Sequence, residues 1–150
     1  MNCYSILAMR YMGIDFGTKR IGIAVSDESG VMAFPHAVIF NTHNLISDIL
    51  KICNNQNVFE IVVGESKNFQ GQDNLVMVDI NKFVNDLKQN LNVPVILHPE
   101  FLTSKQAERL GVKAERLVSK LKKQPKVNVM LDAGAATIIL QSYLDIKSNK

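Results

Sequence analysis

Four carboxylates stand where the chain changes from one element to the next. They are Asp15 within MGIDFGTKRIGIAVSD (12–27), Glu65 directly after IVVG, Glu100 just after VILH, and Asp132 at the opening of LDAGAATIILQSYL. Asp15 is the least expected, an acid between glycines in a segment otherwise written as core. Alternate residues of a strand share a face, so Asp15 points with Gly13 and Gly17, and on the following strand Gly22 and Ala24 share a face. If these two small faces align, the carboxylate stands amid exposed backbone with room for a phosphate or a metal. The same glycines would equally serve tight packing under a helix, with Asp15 merely ending its strand.

The carboxyl ends of parallel strands in an open α/β sheet form one rim, where ligands usually bind. That rim would bring together Asp15, Glu65 and Glu100. Asp132 has an ordinary use as a favourable charge in the first turn of a helix, and a solvated strand end is the simpler reading of Glu65. The small residues Ala133, Gly134 and Ala136 would nevertheless let the last helix lie against the sheet and aim Asp132 at the rim. Carboxylates gathered without His or Cys make a hard oxygen site, suited to Mg²⁺ or Mn²⁺ and not to zinc. Such a cluster destabilises the fold unless a cation sits among the acids. Two ions about 4 Å apart activate water on one side of a phosphodiester and stabilise the leaving oxygen on the other, which is nuclease chemistry.

The elements that must position these acids follow from the hydrophobic period. Residues 11–16 and 20–26 read as strands joined by a tight Gly-Thr-Lys turn, and AFPHAVIF (33–40) as a third strand that Pro35 suits to an edge. A helix over 44–54 leads to a buried strand at 59–65. The loop SKNFQGQDN, a helix near 75–91, a strand at 93–97, a basic helix at about 103–121 and an apolar helix at about 130–144 complete the chain. A meander continuing into crossovers predicts an α/β fold, a mixed five-stranded sheet with helices on both faces.

Length and composition narrow the class. The chain has 150 residues, enough for one core, and is 47% hydrophobic and 21% charged, which excludes disordered and collagen-like classes. No linker divides it, so a single domain over 1–150 is expected. Cys3 and Cys53 lie far apart without metal-ligand spacing, which points to two reduced thiols. No apolar run approaches the roughly 18 residues of a membrane span and the N-terminus lacks a cleavable leader pattern, so the expected location is the cytoplasm, away from membranes.

A net charge of +3 permits a nucleic-acid partner without demanding one. Its distribution says more. Lys105, Arg109, Lys113, Arg116, Lys120 and Lys123 recur at helical spacing opposite Ala107, Leu110, Ala114, Leu117 and Leu121. A solvated lysine face is the common use of such a helix, and a phosphate-binding face is the alternative. Phe69 and Phe101 are the only rings expected near the rim, so recognition of backbone and shape is expected over base stacking. His98, two residues before Glu100, reads better as a hydrogen-bonded structural residue than as a proton shuttle.

GIDFGTKRIGIAVSD, IVVGESKNFQGQ, ILHPEFLTSKQAER and MLDAGAATIILQSYL, in this order and spacing, resemble the YqgF/RuvX family, described as Holliday-junction-resolvase-like proteins and pre-16S rRNA nucleases. The resemblance runs from Tyr11 to Asp145 and implies a ribonuclease-H-like fold with metal-dependent phosphodiester cleavage. It assigns catalysis and metal binding to Asp15, Glu100 and Asp132. It also implies a structured RNA, such as precursor rRNA, or branched DNA as partner, bound by a monomer or homodimer. Two departures stand out. Pro99, Glu100 and Phe101 replace the family's Asp-Glu-Arg, and Glu65 and Ser66 replace Leu-Pro. Lys19 or Lys67 would then supply the missing cation, with Arg20 beside Lys19, and Glu65 the missing acid. Two other readings remain. The hairpin also looks like the phosphate-binding hairpin of the actin and sugar-kinase superfamily, although no second copy closes over a nucleotide. A non-catalytic ribosome-assembly factor is the third.

Overall fold

The computed structural model describes residues 9–65, 75–99 and 127–148 of the chain, with the side chains of 75–76 and 127–132 not among them. Five strands and three helices are present there. The strands are β1 (Arg10–Asp15), β2 (Arg20–Ser26), β3 (Ala33–Phe40), β4 (Val58–Glu65) and β5 (Val95–Pro99). The helices are α1 (Leu45–Gln56), α2 (Leu75–Asn90) and α3 (Val127–Ser148). The sheet has the order β3-β2-β1-β4-β5, antiparallel through β1, β2 and β3 and parallel through β1, β4 and β5. This is the expected meander followed by crossovers. The basic helix expected at 103–121, and with it Lys105, Arg109, Lys113, Arg116, Lys120 and Lys123, lies outside the described residues, as do Lys67, Phe69, Glu100 and Phe101.

Each face of the sheet has its own core. Met12, Ile14, Ile21, Ile23, Ile61 and Val63 alternate onto one face and pack with Leu45 and Ile49 of α1 and Ile80, Phe83 and Leu87 of α2. The other face is small and is covered by α3, where Ala24 and Val62 meet Ala136, Ile139 and Leu140. Helices therefore lie on both faces, as expected. The period-two pattern of β1 and β2 sends large residues to the two-helix side and Gly and Ala to α3.

Several boundaries differ from the sequence reading by a few residues, two of them for local reasons. Strand β5 begins at Val95, because Pro94 has no N–H to give and serves only as an acceptor, from Ile61 N–H at 2.9 Å. Strand β1 ends at Asp15, so Phe16 belongs to the turn and packs its ring 5.0 Å from that of Phe83. In β3, Pro35 pairs with Ala24 and Ala37 with Ile23, which leaves His36 as the extra residue of a bulge. A bulge and a proline on an edge strand both discourage pairing with a further strand.

Candidate active site

The alignment of small faces in the hairpin is present. Gly13 pairs with Ala24 and Asp15 with Gly22. Gly13 serves close packing: a Cβ there would lie 2.6 Å from Leu140 Cβ and 2.7 Å from Ala136 O. Asp15 shares this face but lies one step nearer the strand end, where it is half-buried. On the other side of β1, Ile14 pairs with Val63, so the next rung along β4 is Gly64. Asp15 thus projects from a floor with no side chain immediately to either flank. Of the uses that the sequence offers for these glycines, Gly13 realises close packing under a helix.

The direction of α3 follows from its contacts. Lys147 reaches Tyr11 near the start of β1, whereas Ala136 and Leu140 cover Gly13. The helix therefore runs antiparallel to β1, and its N-terminal turns approach the rim at which Asp15 ends the strand. Asp132 sits in those turns, one helical turn before Ala136. Glu65 ends β4, adjacent to β1, and pairs with Pro99 at the end of β5. It shares the rim with Asp15 but takes the alternation of Ile61 and Val63, on the other face of the sheet. Its carboxylate is still felt at His98, whose protonated form it favours.

Lys19 and Arg20 are exposed on the turn that follows Asp15. That turn is held from β3. Asn41 donates through Nδ2 to Gly17 O at 3.0 Å and through its backbone N–H to Lys19 O at 2.9 Å. Gly17 is required, since a Cβ would stand 2.3 Å from Arg20 O. The site-bearing hairpin is therefore fixed by a residue that the sequence reading passed over.

His98 is turned away from any proton-transfer role at the rim. Its Nε2 lies 3.2 Å from Ser142 Oγ on α3, its ring stands edge-on to Tyr143, and burial lowers its pKa below the ordinary 6.5. Cys53 is a buried thiol of α1, pushed up to about 11 by desolvation and so unreactive. Among the described residues no group of three or more His, Cys, Asp and Glu side chains is gathered around a common point. Glu100 and the Asp132 carboxylate are not among those residues. The donors that the described rim offers are carboxylate oxygens, which fit a hard divalent cation such as Mg²⁺ or Mn²⁺.

The sequence reading also passed over Glu60. This carboxylate is buried in β4, accepts a hydrogen bond from Tyr143 Oη, and pairs with Lys147 Nζ at 3.3 Å. Lys147 donates as well to Tyr11 Oη at 2.9 Å and lies 4.7 Å from the centre of that ring. Burial first, and Glu60 second, raise the pKa of the Tyr143 hydroxyl. The Lys147 ammonium is held protonated above its usual range, mainly by Tyr11 and further by Glu60. A single acid inside a strand gives no signal in the sequence that two residues of a distant helix will satisfy it.

The model of the RuvX family, described as Holliday junction resolvase, matches residues 9–146. A protein of Thermoanaerobacter pseudethanolicus named "Putative pre-16S rRNA nuclease" is 37% identical over 145 residues, covering 95% of this chain and 100% of its own length. One of the same name from Maridesulfovibrio salexigens is 36% identical over 138 residues, covering 91% and 98%. Among solved structures, Thermus thermophilus RuvC in complex with a Holliday junction substrate superposes with a TM-score of 0.60 at 14% identity, covering 93% of this chain and 96% of that one. At that identity the likeness concerns the fold, which is ribonuclease-H-like. With the family model and near full-length relatives matching, the chain belongs to the RuvX family.

Proposed function

We propose that the chain is a nuclease that uses divalent metal to hydrolyse phosphodiester bonds in structured nucleic acid, processing the 5′ end of precursor 16S rRNA. The observation that carries this is Asp15, a half-buried acid flanked by glycine on the neighbouring strand, at the rim toward which the N-terminal turns of α3 run. In this reading Asp15, Glu100 and Asp132 hold the metal, and Glu65, which takes the opposite face of the sheet at the neighbouring strand end, is not one of its ligands. Mg²⁺ or Mn²⁺ bound there, as one ion or two, supplies neutralising charge at the scissile phosphate and a water of lowered pKa. Lys19 and Arg20 hold the substrate backbone beside Asp15, and Asn41 keeps their turn in place. Lys67 and the cations Lys105, Arg109, Lys113, Arg116, Lys120 and Lys123 extend the phosphate-binding surface.

The names of the relatives favour precursor rRNA, and the family description keeps branched DNA as the second substrate. The reading treats residues 1–150 as one cytoplasmic domain; no helix among the described residues is long and apolar enough to cross a membrane.

The test compares wild type with Asp15→Asn on a labelled 5′-extended small-subunit rRNA precursor and a labelled four-way DNA junction, each with Mg²⁺ or Mn²⁺. Cleavage of the RNA should fall by about a thousandfold in the variant, the scale of several kcal/mol of lost transition-state stabilisation. Preferential cutting of the junction would select the DNA substrate. Intact binding without cutting of either would select a non-catalytic assembly factor and make Pro99 and Phe101 the residues to explain.

A further inference from the structure

Among the described residues, the most exposed large apolar side chain is Phe40, at 71%. It ends β3 at the rim that carries Asp15. Its cross-strand partner is Arg20, while Val38, two residues earlier, pairs with Gly22, the partner of Asp15. Directly opposed residues of an antiparallel pair project to the same side, and so do residues two apart. Asp15, Arg20 and Phe40 therefore all project from the face that α3 covers further back. Counting two strand spacings and two residues, Phe40 lies roughly 12 Å from Asp15.

The backbone under the ring is fixed. The Phe40 carbonyl accepts the Thr42 N–H at 3.0 Å, and Asn41 is tied to Lys19 and Gly17. A rigidly mounted, solvent-facing ring beside two exposed cations is the combination that stacks an unpaired base while the cations meet its phosphates. An aromatic placed there to complete a core would be covered, and a ring meant for a second strand would not follow the bulge and proline of β3. The sequence reading expected rings only at Phe69 and Phe101; the pairing register adds Phe40.

We infer that Phe40, with Lys19 and Arg20, forms a stacking site for an unpaired nucleobase beside the reactive rim, so that the substrate is single-stranded on that side of the cut. The inference rests on the nuclease reading for its meaning but is tested by binding alone.

The experiment measures the affinity of labelled single-stranded RNA, and of the same sequence in a duplex, for the full chain carrying Asp15→Asn to prevent cleavage. Phe40→Ala should weaken single-strand binding by about tenfold, within the range for loss of one stacked base, and leave duplex binding within twofold. Phe40→Tyr should restore it. A 2-aminopurine placed at successive positions should be quenched at one of them, and the quench should vanish in Phe40→Ala. Equal losses for both nucleic acids, or none for either, would overturn the inference. So would a change in sedimentation mass with Phe40→Ala, which would make the ring a contact between copies. Failure of the nuclease reading would instead appear as absent cleavage by wild type with this binding pattern intact.

Discussion

Near the start of β1, Glu60 is only 6% exposed, and Tyr143 and Lys147 hold its carboxylate while the rings of Tyr11 and Phe59 meet edge to face, 4.5 Å between centres. At the other end of β1, Asp15 is half-buried and stands over backbone, with Gly22 opposite. A carboxylate taken out of water must find partners or lose its charge. The first acid has them from its own chain and is a structural member. The second ends its strand at the edge of the sheet, half-buried and opposite a glycine, and so keeps part of its contact with solvent.

One helix serves both ends, so the contrast can be broken by a change midway. Gly13→Ala would drive a methyl against Leu140 and the Ala136 carbonyl. We expect a loss of about 1–3 kcal/mol in urea denaturation, typical of overpacking. Cleavage should drop with it, because the helix that bears Asp132 is displaced. A loss of stability with full activity would show that the helix position does not set the site.

A change at the closed end alone sharpens the contrast. Tyr143→Phe removes the hydroxyl that Glu60 accepts from and leaves a buried carboxylate short of a partner. The expected cost is about 2 kcal/mol of stability. The rate of cleavage by the folded fraction should hold at the wild-type value.

The smallest effect concerns His98. Its pKa is lowered in the fold, so as pH falls through the ordinary value of 6.5 the unfolded chain takes up the proton first. Stability should therefore decline below that pH, by at most about 1.4 kcal/mol per unit for one group. The melting temperature of His98→Gln should lose this part of the acid-side slope.

Much of the fold was legible because it rests on period and on glycine. The alternation of β1 and β2 already sorted Met12, Ile14, Ile21 and Ile23 from Gly13, Gly22 and Ala24, and the sheet keeps that sorting. What the sequence held back depended on register. Which residue of β3 faces Arg20 turns on the bulge at His36, and no local pattern announces it. Glu60 was passed over because its partners, Tyr143 and Lys147, lie more than 80 positions away in α3. Glu65 was placed on the same rim as Asp15, with a solvated strand end as its simpler reading, since sequence shows where strands end more readily than which face their last residues take.

The contact between Tyr11 and Lys147 joins residues 136 positions apart. Synthesis proceeds from the amino terminus, and contacts of such long range form late. The hairpin with Asp15 leaves the ribosome before the helix that covers its glycine face. A nascent chain would thus hold Gly13 and its neighbours uncovered until that helix emerges, and the Asp15 end of the sheet is completed only then.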